Sequence, residues 1–187
     1  LERAVYAKAV EKCGTRIYWD EWADDVAGIA QRHIEQIQTA LDNNQQVHED
    51  FATFLKGLQN TLNPGITEKD AVEMIAQHIV TLPVFDALFG DYTFAKSNPV
   101  SVAIENFLAT LKVHGVTGLD ASSEPTLQDL YDSVRRRAQV ARTDSNRQEL
   151  IKDLYNDFFS KAFKATSQKL GIVYTPMQIV DYMLHVT

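Results

Sequence analysis

Between Trp19 and Phe163 the apolar residues of this chain return every third or fourth position, a spacing that admits few folds other than packed helices. Trp19, Trp22, Ala23, Val26, Ile29, Ala30, Ile34, Ile37 and Leu41 fall on one arc of a long helix. Val47, Phe51, Phe54, Leu55, Leu58 and Leu62 form a second stripe, closed by the turn Asn63-Pro64-Gly65. Thr67 opens a third helix, with Asp70 placed as its capping partner, and the expected buried face is Ala71, Ile75, His78, Ile79 and Leu82. Pro83 is expected to break or kink this helix, leaving Val84 to Phe89 as one further apolar turn. Asn98 followed by Pro99 reads as a cap with proline in the first helical position, ahead of Val102, Ile104, Phe107, Leu108 and Leu111.

Residues 114–125 interrupt the pattern with Gly115, Gly118, Ser122, Ser123 and Pro125, which predicts a surface loop. Two helices follow, over about 126–142 and 146–165, separated by Thr143-Asp144-Ser145, with Ser145 and Gln148 as a capping box. In the second of these, Leu150, Ile151, Leu154, Tyr155, Phe158, Phe159 and Phe163 cover well over half of the circumference. An apolar arc that wide predicts a helix covered on two sides, either inside the bundle or between it and a following domain. Only Ile172 to Tyr174 reads as extended. The expected fold class is therefore all-α: a multi-helix bundle with a short extended segment and a terminal capped helix.

Composition narrows the setting. At 187 residues the chain suffices for one sizeable core, or for one domain and the start of another. Hydrophobic residues make up 45% and charged residues 23%, and no apolar run is long enough to span a bilayer. The opening Leu1-Glu2-Arg3-Ala4 has neither an initiator Met nor a signal-peptide layout, so the chain is expected to begin inside a longer protein. A single cysteine, Cys13, allows no internal disulfide and fits a cytoplasmic location. The net charge of −7 argues against a surface basic all over, while leaving room for a local basic stripe.

The final stretch carries the most chemistry. Leu170-Gly171-Ile172-Val173-Tyr174 runs into Thr175-Pro176, a cap and a first helical proline, and Ile179, Val180, Met183 and Leu184 then give an apolar helix face. Locally this is a well-capped helix after a short strand. Its loop also offers backbone amides and a threonine hydroxyl at a helix N-terminus, where carboxylates and phosphates are favoured. Together with L-Y-N-D-F-F-S-K-A-F-K at 154–164 and I-V-D-Y-M at 179–183, it resembles the coupler-to-methyltransferase junction of Type ISP single-chain restriction–modification enzymes. The resemblance is closest over 145–186 and looser before that, where K-C-G-T-R-I-Y-W and A-R-T-D-S-N-R-Q are the shared pieces.

In that family a nuclease, a helicase-type ATPase, a helical coupler, an adenine methyltransferase and a target-recognition domain follow one another in one polypeptide. The resemblance implies a coupler over 1–169 and the start of the methyltransferase domain over 170–187. It also implies double-stranded DNA as partner, flanking helicase and methyltransferase domains in cis, and S-adenosylmethionine, with ATP and Mg, as cofactors of the longer enzyme. Contact with the methionine end of S-adenosylmethionine falls by resemblance on Gly171, Val173, Tyr174, Thr175 and Pro176. The sequence holds no glycine-rich cofactor loop with an acidic ribose ligand and no Asn/Asp-Pro-Pro-aromatic tetrad. A Walker-type phosphate loop is missing as well. No catalytic residue is assigned, and this stretch alone is expected to be inactive.

Arg135, Arg136, Arg137 and Arg142 form the one notable basic cluster. Arg136 projects away from the Leu127, Leu130, Tyr131, Val134 stripe, with Arg135 and Arg142 on one flank and Arg137 on the other. Such a fan can track DNA phosphates. It can equally be a solvated helix face in which Asp132 pairs with Arg136 four residues on. His33, His48, His78, His114 and His185 have no metal-ligand spacing, and His33 and His78 read as core histidines. Trp19 and Trp22 read as packing residues. A stand-alone DNA-binding module, a purely protein-binding bundle and the N-terminal helical region of a Type I modification subunit share these features and stay open as alternatives.

Overall fold

The computed structural model describes residues 16–89, 98–120, 125–140 and 144–154. Six helices account for most of them: α1 (Arg16–Asn43), α2 (Gln45–Thr61), α3 (Glu68–Phe89), α4 (Pro99–Val113), α5 (Pro125–Val140) and α6 (Asp144–Asp153). No strand occurs among the described residues, so the all-α class holds there. The extended Ile172–Tyr174 segment, the terminal helix and most of the wide-arc helix lie outside them, as do the side chains of Trp19 and Trp22.

Helix α1 buries Ala23, Val26, Ala30, His33 and Ile37, residues three or four apart along one stripe. It ends at Asn43, and one residue later α2 begins. Asn44 makes that junction. Its backbone N–H donates to the Ala40 carbonyl, while its Oδ1 accepts from the N–H groups of Gln46 and Val47 at 3.0 and 3.2 Å. One side chain thus satisfies two of the donors that a helix start leaves open. The next cap follows the expected box: Thr67 N–H and Oγ1 both donate to the Asp70 carboxylate, and Asp70 N–H donates back to Thr67 Oγ1 at 3.2 Å. Asn98 caps α4 with Pro99 in its first turn. Helix α6 starts at Asp144, one residue before the expected cap at Ser145.

The core centres on α3, which packs against α1, α2, α4 and α5. Ala71, Val72, Ile75, Ala76, Ile79, Val80 and Val84 are all buried, so more than half of its circumference is covered. The small Ala71 and Ala76 let neighbouring backbones approach. Beside this column Phe54 and Phe107 stack at 5.1 Å between ring centroids, and Phe51 tilts against both, tying α2 to α4. Helix α6 packs on α5 and adds Leu150 to the core, and Leu154, the residue just past its end, is buried as well.

Two expectations are corrected. Leu62 and Val102 do not join the core: they are 50% and 43% exposed. Leu62 is the C-cap of α2, and Val102 lies two helical steps, about 200°, from Ile104. Pro83 does not break its helix either, because α3 runs unbroken from Glu68 to Phe89. Proline has no N–H, so the Ile79 carbonyl has no donor one turn on. At the next carbonyl, that of Val80, the buried Tyr131 hydroxyl donates a bond at 3.0 Å from α5. That bond comes from a residue 51 positions away and falls one residue beyond the carbonyl that Pro83 leaves without a helical donor.

Burial also pushes the Tyr131 phenol well above its ordinary value of 10.0. The unfolded chain would then lose that proton first as the pH rises. The stability it contributes is fully present below pH 10.0 and declines above it. Tyr131→Phe is expected to lower unfolding free energy by about 1–2 kcal/mol at neutral pH, because the buried Val80 carbonyl loses its side-chain hydrogen bond. The difference from the unsubstituted chain should shrink in urea titrations above pH 10.0, and an equal gap at both pH values would contradict the assignment.

Candidate nucleic-acid interface

Helix α5 turns Leu127, Leu130, Tyr131 and Val134 inward, all with at most 3% exposure. That register throws Arg135 and Arg136 to the outside, where both side chains are exposed. The cluster is not the even fan that the wheel implies. Arg135 Nη1 lies 2.9 Å from Asp132 Oδ1, so Asp132 pairs three residues on with Arg135 and not four residues on with Arg136. Both partners are more than half exposed, and such a pair adds little to stability. Arg137 is half-buried at the flank of the helix, and Arg142 lies outside the described residues. The outward basic group is thus Arg136, with Arg135 beside it held by a carboxylate. Arg136 presents its charge at no cost in burial, as a contact to a phosphate backbone requires.

The cofactor-motif residues Gly171, Val173, Tyr174, Thr175 and Pro176 lie outside the described residues. Among the histidines, His33 is 3% exposed, with Nδ1 3.4 Å from Gln36 Oε1. His78 sits nearer the edge of α3 and meets Glu105 of α4 at 2.7 Å. No cluster of three metal-ligating side chains occurs among the described residues, and none of their helices is long and apolar enough to cross a membrane.

Two concave regions escape a reading by motif. One is a cleft of about 760 Å³ between the C-terminal half of α1 and the 114–118 loop, with Gln36, Thr39, Asn43, Asn44, His114 and Thr117 among its walls. The other, about 510 Å³, has an apolar floor that includes Ile79, Leu82, Pro83, Leu108 and Leu119. Loop residues Val116, Thr117 and Gly118 line both. Gly115 and Gly118 have φ of +82° and +81°, values that suit glycine and shape this shared wall. The glycines are visible in the sequence, but their proximity to α1 is a tertiary fact that no spacing reports.

Comparisons with known proteins point one way. Residues 18–146 match the family model of the coupler domain of Type ISP restriction–modification enzymes. The solved structure of a nuclease-deletion mutant of the Type ISP enzyme LlaGI, in complex with a DNA substrate mimic, is similar at 38% identity and a TM-score of 0.77. That match covers 98% of this chain and 14% of the LlaGI chain. The ATP-dependent Type ISP enzyme LlaBIII bound to DNA is similar at 40% identity and a TM-score of 0.79, over 98% of this chain and 12% of that one. The DrdV–DNA complex shares the fold, with 22% identity, a TM-score of 0.58 and coverage of 90% of this chain and 17% of that one. No curated protein matches. The chain therefore spans only 12–14% of the length of the two Type ISP enzymes it resembles. Matched by the family model over most of its length, the chain belongs to the coupler domains of Type ISP restriction–modification enzymes.

Proposed function

We propose that this chain works inside a longer cytoplasmic polypeptide, as the connection between an ATP-dependent DNA translocase and an adenine-specific DNA methyltransferase. In this reading residues 1–169 are the coupler and 170–187 begin the methyltransferase domain. The observation that carries it is the family match over 18–146, backed by likeness across 98% of the chain to two Type ISP enzymes solved with DNA or a DNA mimic. The longer enzyme would use ATP with Mg for movement and S-adenosylmethionine for methylation. Gly171, Val173, Tyr174, Thr175 and Pro176 would help hold the methionine end of S-adenosylmethionine. Coupling demands an element that two neighbours can bias together, and α3, packed on four other helices, is where shifts of those helices would meet.

Contact with double-stranded DNA is assigned to Arg136 and Arg135. Arg137 and Arg142 belong to the same proposed contact group. Each arginine that neutralises a phosphate releases counterions and adds about 0.9 to the slope of log affinity against log salt. In the full-length protein, Arg135→Glu with Arg136→Glu is expected to weaken binding to duplexes of unrelated sequence alike and to flatten the salt slope by about two. Affinity and slope equal to those of the unsubstituted protein would leave the bundle a purely protein-binding connector.

A further inference from the structure

We propose that the hydrogen bond from Tyr131 to the Val80 carbonyl is a relay. It passes a displacement of α5, caused by duplex DNA at Arg135 and Arg136, into α3 at the Pro83 turn. It rests on the reading of α5 as a DNA contact and adds the route from that contact into the core.

The two ends of the relay lie on opposite sides of one helix. Arg135 follows Tyr131 by four residues, about 6 Å along the helix axis. Its side chain is more than half exposed, whereas Tyr131 is 3% exposed. The helix between them is unbroken. A pull on the guanidinium side therefore reaches the phenol within one turn.

The hydrogen bond gives the contact a direction. Leu127, Leu130 and Val134 are buried on the inner face of α5, but apolar burial is non-directional and lets packed helices slide. The Tyr131 hydroxyl bonds to Val80 at 3.0 Å in a buried setting, and such a bond tolerates little change in length or angle. A shift of α5 either draws the Val80 carbonyl with it or strands a buried hydroxyl, which the interior penalises. Both outcomes alter the same turn of α3.

That turn is the soft part of α3. Pro83 leaves the Ile79 carbonyl without a helical donor. In an α-helix the N–H of residue 84, the first after the proline, is directed at the carbonyl of residue 80. The amide that restarts the ladder and the Tyr131 hydroxyl thus converge on one oxygen, whose two lone pairs accommodate both. Ile79, Leu82 and Pro83 also line the groove of about 510 Å³, so the turn has open space on that side. Past Val84 the next two side chains, Phe85 and Asp86, are exposed, while Ala71, Val72, Ile75 and Ala76 before the turn are buried. Helices bend at prolines and where a side chain enters the ladder, and both conditions meet here.

The test is amide exchange in the full-length protein, with and without saturating duplex DNA, for the unsubstituted chain and for Tyr131→Phe. The substitution removes a buried hydroxyl and leaves both arginines in place. Duplex is expected to change exchange over Val80–Phe89 by about fivefold or more in the unsubstituted protein, the low end of ordinary coupling between sites. In Tyr131→Phe that change should fall below about twofold, while α5 responds to duplex as before. Pro83→Ala, which returns a donor to the Ile79 carbonyl, is expected to blunt the response over Val80–Phe89 in the same way. Helix α2, whose packing partners are α1, α3 and α4, serves as the background. An equal response over Val80–Phe89 in all three proteins, no response there in the unsubstituted one, or a response just as large in α2 would each overturn the relay. The exchange of α5 separates the two failures. A silent α5 removes the DNA reading of Arg135 and Arg136 and the relay with it; a responding α5 with any of those three outcomes removes the relay alone.

Discussion

Ile75→Asp is expected to leave the chain unfolded at 25 °C. Ile75 is fully buried near the middle of α3, the helix that four others contact. Losing the isoleucine costs about 1.5–3 kcal/mol of burial. Placing an unpaired carboxylate there costs several more, or forces it to take up a proton. The sum rivals the ~5–15 kcal/mol that holds a typical domain together. Far-UV circular dichroism should show most of the helical signal gone and no cooperative thermal transition. A sharp melt within a few degrees of the unsubstituted chain would show that α3 is not the centre of the core.

The next largest effect is expected from Phe107→Ala. Its ring meets those of Phe54 at 5.1 Å and Phe51 at 5.5 Å, so truncation opens a hole between α4 and α2. Large-to-small changes of this kind cost about 3–5 kcal/mol, from lost transfer energy and from a cavity that collapses only in part. In urea the midpoint should fall by roughly 1–3 M at ordinary denaturant slopes. Val113→Ala, made on the same helix at a side chain 84% exposed, should change stability by less than about 0.5 kcal/mol. Equal shifts for the two variants would mean that the aromatic cluster is not formed as described.

Much of this architecture is legible in the sequence because helices report themselves locally. The stripes Ala23–Val26–Ala30–Ile37 and Val47–Phe51–Phe54–Leu58 are interior as their spacing requires, and the caps at Thr67 and Asn98 use residues within three positions of each other. What eluded a local reading was set at a distance. Pro83 carries a strong breaking signal, and the Tyr131 hydroxyl that donates at the adjacent carbonyl comes from another helix. His78 lies in an apolar stripe, yet its partner is Glu105 on α4. The Asp132 carboxylate had two arginines in reach, and a helical wheel cannot tell the i+3 geometry from the i+4. At the candidate interface the outward face of α5 was readable from its periodicity. The polar cleft was not, because α1 and the 114–118 loop are brought together only by packing.

The position of α3 has a consequence for synthesis. It stands third in chain order and first in importance to the core. Until it has been made, Val26, Ile37, Phe51 and Phe54 have only each other's helices to cover them, and the partners that complete their burial, including Phe107, are still unwritten. A nascent chain that has emerged from the ribosome only as far as Leu62 therefore holds out a sticky two-helix hairpin, the kind of exposed apolar surface that attracts chaperones or neighbouring nascent chains. For this bundle, the order in which the helices emerge matters as much as how they finally pack.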